Sequence, residues 1–522
     1  MSKNKKRVLS NDDGWILGRY GPPISIEEIR DNMVGPHANS PIDTLLWNVG
    51  GREVFSFETE IGERFGWDQT SFNNEPSSAR AANLRHLIAE HGGPLHVIIE
   101  LCREIGIKFF PSLRMNTHYN TDESSPSSGR FRRDHPELLI GKPKEDIPEF
   151  SQLWGLRTGK DFAHPEVRDF MINMAVELIE GFDVDGIELD FMRHPGMFRP
   201  GDAFANRYLL TDMISQIRRH MDKVGKAKGR QLELAVRVSA TIADSLRLGM
   251  DTERWIGDGL VDITIVGLGF NPFEAKVAEF VRAAEDTNCQ ILGCFEALRP
   301  VIDTEVLRAI AARYLGAGAD GIYLFNFYSM DATWKEQVIG ELIDQTKLNF
   351  LDKTYEIDST RGGTSESQIH HSFRHCLAPE QLPVRLDSTI SGEGVRLHFY
   401  IEDDLDTANR EGLLHSATLR IGGEILHNEA GLQLQLNGTT IPWSESTHPL
   451  SPWQKTVYAD DWNLYPSRVE KVLVDCKEAI EIPLSSPPLI QGPNELQIFC
   501  SSKSIARSVV KYIAVTLRYH QK

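Results

Sequence analysis

The sequence predicts an α/β protein with two folded parts. Between residues 6 and 347, eight short apolar runs alternate with amphipathic helical patterns. After about residue 350, short alternating segments separated by turn signals replace this pattern. A length of 522 residues also exceeds one typical domain. We therefore expect a (β/α)8 TIM barrel over residues 1–350, a linker or first strands over 351–390, and an antiparallel β-sandwich over 391–522.

The predicted barrel strands are rich in Val, Ile, Leu or Phe, as buried parallel strands are. They are Arg7–Ser10, Thr44–Val49, Ile107–Leu113, Gly186–Phe191, Leu232–Ser239, Ile263–Gly267, Ile291–Phe295 and Gly321–Phe325. Between them, Pro165–Glu180 and Thr304–Leu315 carry apolar residues at helical spacing. An open doubly wound sheet is the alternative, but no glycine-rich nucleotide-binding motif follows any of these strands.

Two long insertions, residues 51–80 and 118–164, follow the second and third predicted strands. Both come after the carboxyl ends of strands, where barrel enzymes build their sites, so we expect them to cover a cleft. In the carboxyl-terminal part, the predicted sandwich strands are Val395–Ile401, Ala417–Ile421, Leu432–Leu436, Leu496–Cys500 and Tyr512–Tyr519.

Composition limits the partners of the chain. It has 56 Lys and Arg against 74 Asp and Glu, and the formal net charge of −18 would repel a phosphate backbone. The sequence holds no apolar run of membrane-spanning length, and its six cysteines lack a CxxC spacing. We expect no nucleic acid, membrane, metal or cofactor, and a homo-oligomer is left open. The basic start of the chain lacks an apolar signal core, which favours the cytoplasm, or secretion if a signal peptide has been lost.

The fourth predicted strand carries the strongest catalytic candidates. Strand alternation turns its apolar residues to one face and Glu188 and Asp190 to the other, into the barrel mouth. Burying such acids costs free energy, so we expect them to be paired or to take part in catalysis. A buried salt bridge to Arg193 or Arg237 is the alternative to a catalytic role. Glu296 ends the seventh predicted strand, at the same mouth. Because glycosidic hydrolysis takes two carboxyl groups, we predict Asp190 and Glu296 as the pair and Glu188 as a group that tunes one of them.

Polar and aromatic residues at the strand ends are candidate sugar contacts, because aromatic rings stack on sugars while polar groups bond hydroxyls. The predicted substrate-binding residues are Asp12, Asp13, Trp47, Arg114, Asn116, His118, Arg193, His194, Arg237, Asn326 and Tyr328. Arg114, Arg193 and Arg299 lie at three strand ends and suggest an anionic substrate, such as a uronic or sulfated sugar. Ion pairs with the carboxylates of the site itself explain them at least as well.

The segment Leu9–Gly14 resembles the metal-binding motif of the stationary-phase survival nucleotidases. In that family, paired aspartates after the first strand hold a divalent cation. The resemblance covers about six residues, and a polar turn that closes the first strand is the plainer interpretation. A metal-dependent phosphoesterase that uses Asp12 and Asp13 is therefore kept as an alternative function.

Residues Asp185–Pro195 resemble the DGIxxDxxRxP signature of the family-10-like group of hypothetical glycosyl hydrolases. His164–Arg168 resembles the HPEVR element of the preceding helix in that group. The same strand is similar to the DGxDxDxE strand of family 18 chitinases, although Met192 stands in place of their acid. It is also similar to the fourth strand of the α-galactosidase clan, whose nucleophile matches Asp190, but the strand-six acid of that clan has no match.

These resemblances imply a glycoside hydrolase that cleaves an oligo- or polysaccharide. The carboxyl-terminal part resembles the β-sandwich appended to many glycosidases, which implies a role in sugar binding or in bracing the barrel. A non-catalytic carbohydrate-binding barrel is the remaining alternative.

Overall fold

The computed structural model describes most of the chain, in segments. These are residues 6–51, 53–118, 129–149, 151–192, 194–267, 275–296, 303–327, 330, 332–357, 381–386, 394–424, 426, 432–444, 447–460, 468–500 and 508–520. For residues 152, 296, 457–460, 468–471, 473 and 500, only the backbone is described. The described residues form two compact units: the first contains residues 6–296 and 318–339, and the second contains residues 303–317 and those from 340 onwards.

The first unit is built on a closed parallel barrel. Its strands are β1 (Arg7–Asp12), β2 (Thr44–Gly50), β3 (Val54–Phe55), β4 (Glu63–Arg64), β5 (Lys108–Arg114), β6 (Gly186–Asp190), β7 (Glu233–Val238), β8 (Ile263–Val266), β9 (Gln290–Glu296) and β10 (Gly321–Phe325). Strands β1, β2 and β5 to β10 pair in parallel in that order, and β10 returns to pair with β1. The predicted eight-stranded barrel is confirmed, and its strand ends lie within two residues of the predicted ones.

Helices follow the barrel strands along the chain, and further short helices lie in the loops of both units. The α-helices are α1 (Ile16–Arg19), α2 (Ile26–Ile29), α3 (Glu75–His91), α4 (Pro94–Glu104), α5 (Arg130–Asp134), α6 (Gln152–Leu156), α7 (Pro165–Gly181), α8 (Ala203–Lys228), α9 (Ile242–Arg247), α10 (Thr252–Gly257), α11 (Val277–Ala283), α12 (Thr304–Gly316), α13 (Ala332–Leu342), α14 (Gln345–Leu348) and α15 (Leu405–Arg410). A π-helical turn covers Arg30–Val34, and 3-10 turns cover Gly35–His37 and Pro136–Leu138. None of the helices in the described segments is long and apolar enough to cross a membrane.

Alternation along the strands fills the barrel with side chains. The interior cluster is Leu9, Leu46, Phe110, Ala235, Ile263, Ile265, Leu292, Cys294, Tyr323 and Phe325, all buried. Residues two places further along the same strands must also face inward, because successive side chains of a strand point to opposite faces. Polar residues at the carboxyl ends of the strands therefore meet above this apolar cluster.

Arg7 closes the opposite, amino-terminal end of the barrel. Its guanidinium donates to Asp43 at 3.0 Å, to Glu233 at 2.9 Å and to Gln290 at 3.0 Å. Lys108 also pairs with Glu233, at 2.5 Å. Burial alone would raise the pKa of Glu233, but Arg7 and Lys108 outweigh it and hold that pKa below its ordinary value. One cation thus joins several strands at the base of the barrel.

The second unit contains two antiparallel sheets. Its strands are β11 (Lys353–Glu356), β12 (Val384–Leu386), β13 (Val395–Ile401), β14 (Leu414–Glu424), β15 (Leu432–Leu436), β16 (Thr439–Ile441), β17 (Ser451–Asp460), β18 (Arg468–Leu484), β19 (Gly492–Cys500) and β20 (Ser508–Tyr519). One sheet runs β11-β20-β14-β18-β17 with β12 also on β20, and the other runs β13-β19-β15-β16. Both contribute apolar side chains to one buried cluster, so the predicted sandwich is confirmed.

A buried ion pair lies within this second unit. Lys353 on β11 is 2.7 Å from Asp403, and the hydroxyl of Tyr519 donates to the same carboxylate at 2.6 Å. Strands β11 and β12 both fall within the stretch for which the sequence left open a linker or the first sandwich strands. Each of them pairs with β20.

Replacing the basal arginine (Arg7→Met) should destabilise the protein by about 2–4 kcal/mol at pH 7, because Asp43 and Glu233 would lose a shared, partly buried cation. Urea unfolding measures this difference. It should shrink in acid, since a lowered folded pKa gives Glu233 stability above an unfolded pKa of about 4.3 that is lost as the pH falls through the folded value. The control is Arg254→Met, at an exposed pair with Asp258, which should cost about 0.5 kcal/mol or less. Equal effects of the two changes would contradict the role of Arg7.

Candidate active site

Two loops that frame the carboxyl-terminal end of the barrel are joined by a buried ionic cluster. Glu53, after β2, accepts hydrogen bonds from Lys160 at 2.9 Å and from Arg132 at 3.1 Å, both in the loop after β5. Glu53 and Lys160 are almost completely buried. Burial raises the pKa of Glu53, but the two cations outweigh it and leave that pKa below its usual value. Both predicted insertions are therefore held together at neutral pH.

Asp190, the last residue of β6, lies between two guanidinium groups. The strand register places Arg114 of β5 on one side of it and Arg237 of β7 on the other. Its Oδ2 is 3.7 Å from Arg114 Nε and its Oδ1 is 3.5 Å from Arg237 Nη1. The backbone N–H of Met192 donates to Oδ1 at 3.0 Å. The ion pair with Arg237, which the sequence offered as the alternative to catalysis, is thus present in the site.

Glu188 lies two residues before Asp190 on the same strand and is also completely buried. Its Oε2 accepts a hydrogen bond across the barrel from Nδ2 of Asn11 on β1, at 3.3 Å. Burial, and then the charge of Asp190, raise the pKa of Glu188 to about 7, against the opposing effect of the Ser112 and Tyr323 hydroxyls. Perturbed carboxyl groups of this kind are concentrated at functional sites.

Buried polar atoms without a hydrogen-bond partner surround these acids. Within the described segments they include Oδ1 of Asn11, Nδ2 of Asn48 and Oδ2 of Asp190. Leaving a buried donor or acceptor unpaired costs about 1–3 kcal/mol. Both donors and acceptors are among these atoms, so the mouth can receive a ligand that donates and accepts hydrogen bonds, as a sugar hydroxyl does.

Asp12 and Gly14 close the turn after β1. Oδ1 of Asp12 accepts from the backbone N–H of Gly14 at 2.8 Å and of Trp15 at 3.4 Å. Gly14 has a φ of +77°, and a Cβ there would lie 2.5 Å from the carbonyl oxygen of Asn48. Burial is the main reason why the pKa of Asp12 is raised. Asp12 thus has the turn-closing contacts of the plainer interpretation.

Asp13 instead reaches the mouth of the barrel. Its carboxylate accepts hydrogen bonds from Arg114 and, at 3.3 Å, from Nδ2 of Asn326. Asn326 follows β10 with a φ of +62°, a left-handed conformation that Asn tolerates better than most residues. Within the described part of the chain, no group of three or more His, Cys, Asp or Glu side chains could hold a metal ion. The carboxylate of Asp13 is thus engaged by Arg114 and Asn326, and the described residues give a divalent-cation site at the two aspartates no support.

The predicted sugar contacts Asn116, His118 and His194 lie together, but they bond to the loops. Nδ2 of Asn116 donates to the carbonyl oxygens of Lys160 at 2.9 Å and of Gly196 at 2.8 Å. The backbone N–H of His118 donates to Nδ1 of His194 at 3.0 Å, and their rings meet edge to face. All three side chains are buried and brace the loop walls. Their role as sugar contacts stays a prediction.

Two other predicted contacts, Trp47 and Arg237, lie differently with respect to the candidate acids. Trp47 is completely buried, and it points away from the barrel interior because its neighbour Leu46 belongs to the interior cluster. Arg237 lies inside the barrel, with its guanidinium 4.0 Å from the ring centroid of Phe325. Its burial places it beneath the mouth, in contact with Asp190. The structure thus brings Arg237 to the acids, whereas it does not bring Trp47 there.

Several predicted residues are not described. Arg193, Arg299 and Tyr328 lie outside the described residues. Only the backbone of Glu296 is described, as the last residue of β9 and in register with Phe325 of β10. Strand β9 is three strands around the barrel from β6, so Glu296 and Asp190 end strands on nearly opposite sides of the mouth.

The structure adds residues to the site that the sequence analysis missed. Asn11 and Ser112 face the interior, and their alternation with apolar neighbours is a signal that could have identified them. Arg80 of α3 donates to Ser56 in the loop after β2, and it had no such signal because it does not lie at a strand end. Arg114, by contrast, pairs with Asp13 and Asp190, the ion pairs that were the alternative to an anionic substrate.

No protein-family model matches the chain, and no curated protein matches it. The chain is similar to solved structures of glycoside hydrolases. One is the alpha-L-fucosidase isoenzyme 2 from Paenibacillus thiaminolyticus, with 15% identity and a TM-score of 0.43 over 65% of this chain and 49% of that chain. The PgaB (BpsB) glycoside hydrolase domain from Bordetella bronchiseptica has 13% identity and a TM-score of 0.41 over 65% of this chain and 98% of that domain.

The GH36 alpha-galactosidase AgaB from Geobacillus stearothermophilus has 13% identity and a TM-score of 0.39 over 95% of this chain and 56% of that chain. The chain thus spans about half the length of the fucosidase and the galactosidase. Likenesses this weak concern the barrel fold alone. They do not confirm the resemblance to the family-10-like group.

Proposed function

We propose that this chain is a glycoside hydrolase that cleaves an oligo- or polysaccharide at the mouth of the barrel. The observation that carries the proposal is the pair of completely buried carboxyl groups of Glu188 and Asp190 at the end of one barrel strand. Burying two acids side by side is expensive, and a fold that keeps them at the carboxyl end of a barrel strand supports a catalytic use.

Asp190 is the proposed nucleophile or base, and Glu296 the proposed second carboxyl group. Asp190 sits between Arg114 and Arg237, and the strand that ends at Glu296 is nearly opposite. A sugar between these strand ends would be flanked by two acids, as glycosidic hydrolysis requires. The resemblance of Asp190 to the α-galactosidase-clan nucleophile favours the nucleophilic role, and the family-10-like signature is part of the same proposal.

Glu188 tunes this pair by its state of protonation. With a pKa raised to about 7, it is partly protonated at neutral pH and then adds no second negative charge beside Asp190. When it loses its proton, the two carboxylates repel each other inside the barrel. Glu188 is therefore a positioning residue that acts through Asp190.

The alternatives have less support from the site. The carboxylate of Asp12 caps a turn and that of Asp13 bonds Arg114, so no observation favours a metal-dependent phosphoesterase. A non-catalytic carbohydrate-binding barrel would use the same mouth, and only a turnover measurement separates it from an enzyme.

The variants Asp190→Asn and Glu296→Gln should each lower kcat by about 10²–10⁴-fold, because each removes an acid, base or nucleophile from the reaction. The assay is reducing-end release on a broad panel of glycans, with circular dichroism to verify folding. Asp258→Asn, at an exposed pair on the barrel surface, is the matched control and should keep wild-type activity.

Full activity of both variants on a cleaved glycan would refute the assignment of the pair. Glycan binding by the wild-type protein without any turnover would favour the binding-protein alternative instead.

Glu188→Gln should change how stability depends on pH. A raised folded pKa means that the folded protein keeps this proton while the unfolded chain releases it near pH 4.3. Wild-type stability therefore loses up to about 3 kcal/mol from this group as the pH rises to about 7. The neutral amide of the variant does not titrate, so its stability does not fall in this way. Between pH 4 and 8, the free energy of unfolding of the variant should therefore rise relative to that of the wild type.

Urea unfolding across this pH range measures the difference. Glu253→Gln, at an exposed position, should show a constant difference from the wild type. A difference for Glu188→Gln that does not change with pH would contradict the raised pKa.

A further inference from the structure

Asn48 of β2 carries a buried amide donor that has no hydrogen-bond partner among the described residues. Its side chain faces the barrel interior, because Leu46 belongs to the interior cluster and alternate residues of a strand share a face. Only 4% of Asn48 is exposed, and its Nδ2 is one of the unpaired buried atoms at the mouth. An amide nitrogen has two N–H donors, so this group can bind an acceptor of a ligand.

The backbone determines which end of this amide is left open. The N–H of Gly50 donates to Oδ1 of Asn48 at 3.0 Å, and because a backbone N–H can only donate, the open end must be the nitrogen. Gly50 is itself constrained: its φ is +133°, and a Cβ there would lie 2.5 Å from the carbonyl oxygen of Val54. The donor is thus oriented before a ligand arrives, which reduces the entropy lost on binding.

Asn11, on the neighbouring strand β1, offers the complementary acceptor. Its Nδ2 donates to Glu188, and its buried Oδ1 has no partner among the described residues. The strand register pairs Asn11 with Leu46, so Asn48 lies one strand across and two residues along. With strands about 4.8 Å apart and a rise of about 3.3 Å per residue, the two Cα atoms are roughly 8 Å apart. Both amides are therefore close enough to contact one sugar ring.

The atoms left open at the mouth favour a neutral ligand. Oδ1 of Asn11 and the ionised Oδ2 of Asp190 can only accept hydrogen bonds, whereas Nδ2 of Asn48 can only donate them. A carboxylate or sulfate group brings acceptors alone and has no proton to offer the two open oxygens. The guanidinium groups of Arg114 and Arg237 already face the carboxylate of Asp190. A hydroxyl group both donates and accepts, so it can satisfy atoms of either kind.

We propose that Asn48 is a specificity-determining residue that donates a hydrogen bond to a hydroxyl group of a neutral sugar, with Asn11 as the neighbouring acceptor. The inference rests on the proposed glycoside hydrolase function, because it takes a sugar to be the ligand of the mouth. A site built to bond a hydroxyl group rejects a sugar without that group in place, since the buried donor is then left unpaired. Asn48 therefore selects among sugars by the orientation of their hydroxyl groups and gives an acidic sugar no advantage.

Calorimetric titration of the wild-type protein with tetrasaccharides tests this selection. Cellotetraose and mannotetraose differ only in the orientation at one carbon of each ring, as do maltotetraose and the galactotetraose of the same linkage. Tetragalacturonate is the acidic counterpart of that galactotetraose. One member of a neutral pair should bind about tenfold more tightly than its epimer. Tetragalacturonate should bind no more tightly than galactotetraose.

Asn48→Leu replaces the amide by an apolar side chain of similar volume. It should weaken binding of the preferred tetrasaccharide about tenfold and leave binding of its epimer unchanged, so that the preference disappears. If this variant fails to fold, Asn48→Asp keeps the bond from Gly50 but cannot donate, and it should lose the preference as well. Asn32→Leu is the matched control, because the exposed amide of Asn32 donates to the carbonyl oxygen of Glu28. It should keep the wild-type preference.

The proposal is overturned if the neutral tetrasaccharides do not bind, if both pairs of epimers bind equally, or if tetragalacturonate binds more tightly than galactotetraose. A preference that persists in the folded Asn48 variants would overturn it too. Equal binding of the epimers would mean that buried water alone satisfies the open amide atoms.

Turnover is measured separately, on the broad glycan panel. Selective binding of a tetrasaccharide when no glycan is cleaved would refute the proposed hydrolase and leave this subsite standing. Cleavage of a neutral glycan with unchanged kcat and KM in Asn48→Leu would do the reverse.

Discussion

The position of Asp190 between Arg114 and Arg237 is the interaction on which the site depends. Strand register fixes it, because the three residues face one another on β5, β6 and β7. All three side chains point inward, above an apolar cluster that excludes water from below. The carboxylate consequently lies in a medium where charges interact more strongly than in water. The packing of the barrel strands thus determines the electrostatic surroundings of Asp190 at its mouth.

Contacts across the barrel extend this arrangement beyond neighbouring strands. Asn11 of β1 reaches Glu188 of β6, and the guanidinium of Arg237 of β7 lies over the ring of Phe325 of β10. At the other end, Arg7 joins Asp43, Glu233 and Gln290. A polar layer therefore lies at each end of the barrel, and the apolar layer lies between them. The lower layer secures the strands, while the upper layer keeps polar atoms available for a ligand.

Much of the fold could be predicted from sequence because its signals are local. Apolar runs and helical spacing marked all eight strands, and period-two alternation placed Glu188 and Asp190 inside. The sequence offered Arg237 and Arg114 as cations that could pair with the acids, but it could not place them on either side of Asp190, since that placement depends on the stagger of the strands around the barrel. Trp47 has a related explanation. It lies in a continuous apolar run, which does not show which residues face inward, and because Leu46 faces the interior of the barrel, Trp47 faces outward.

Arg80 shows a different limit of sequence reasoning. It lies within α3, so no strand-end pattern identifies it, and its contacts with Ser56 and Phe65 come from the loop after β2. The net charge of −18 argues against a phosphate backbone as partner, but it does not describe the surroundings of single arginines. A total charge describes the far field of a protein, whereas recognition depends on the few groups that share a buried space. The mouth differs from the protein as a whole in this respect.

The buried cluster of Glu53, Lys160 and Arg132 has a consequence for how such a protein can change. Lys160 lies 107 positions beyond Glu53, yet neither can be replaced alone without leaving a buried charge behind. The loops after β2 and β5 therefore depend on each other structurally. Transplanting one of them into another barrel would carry half of an ion pair, and a new specificity built on these walls would require both loops together.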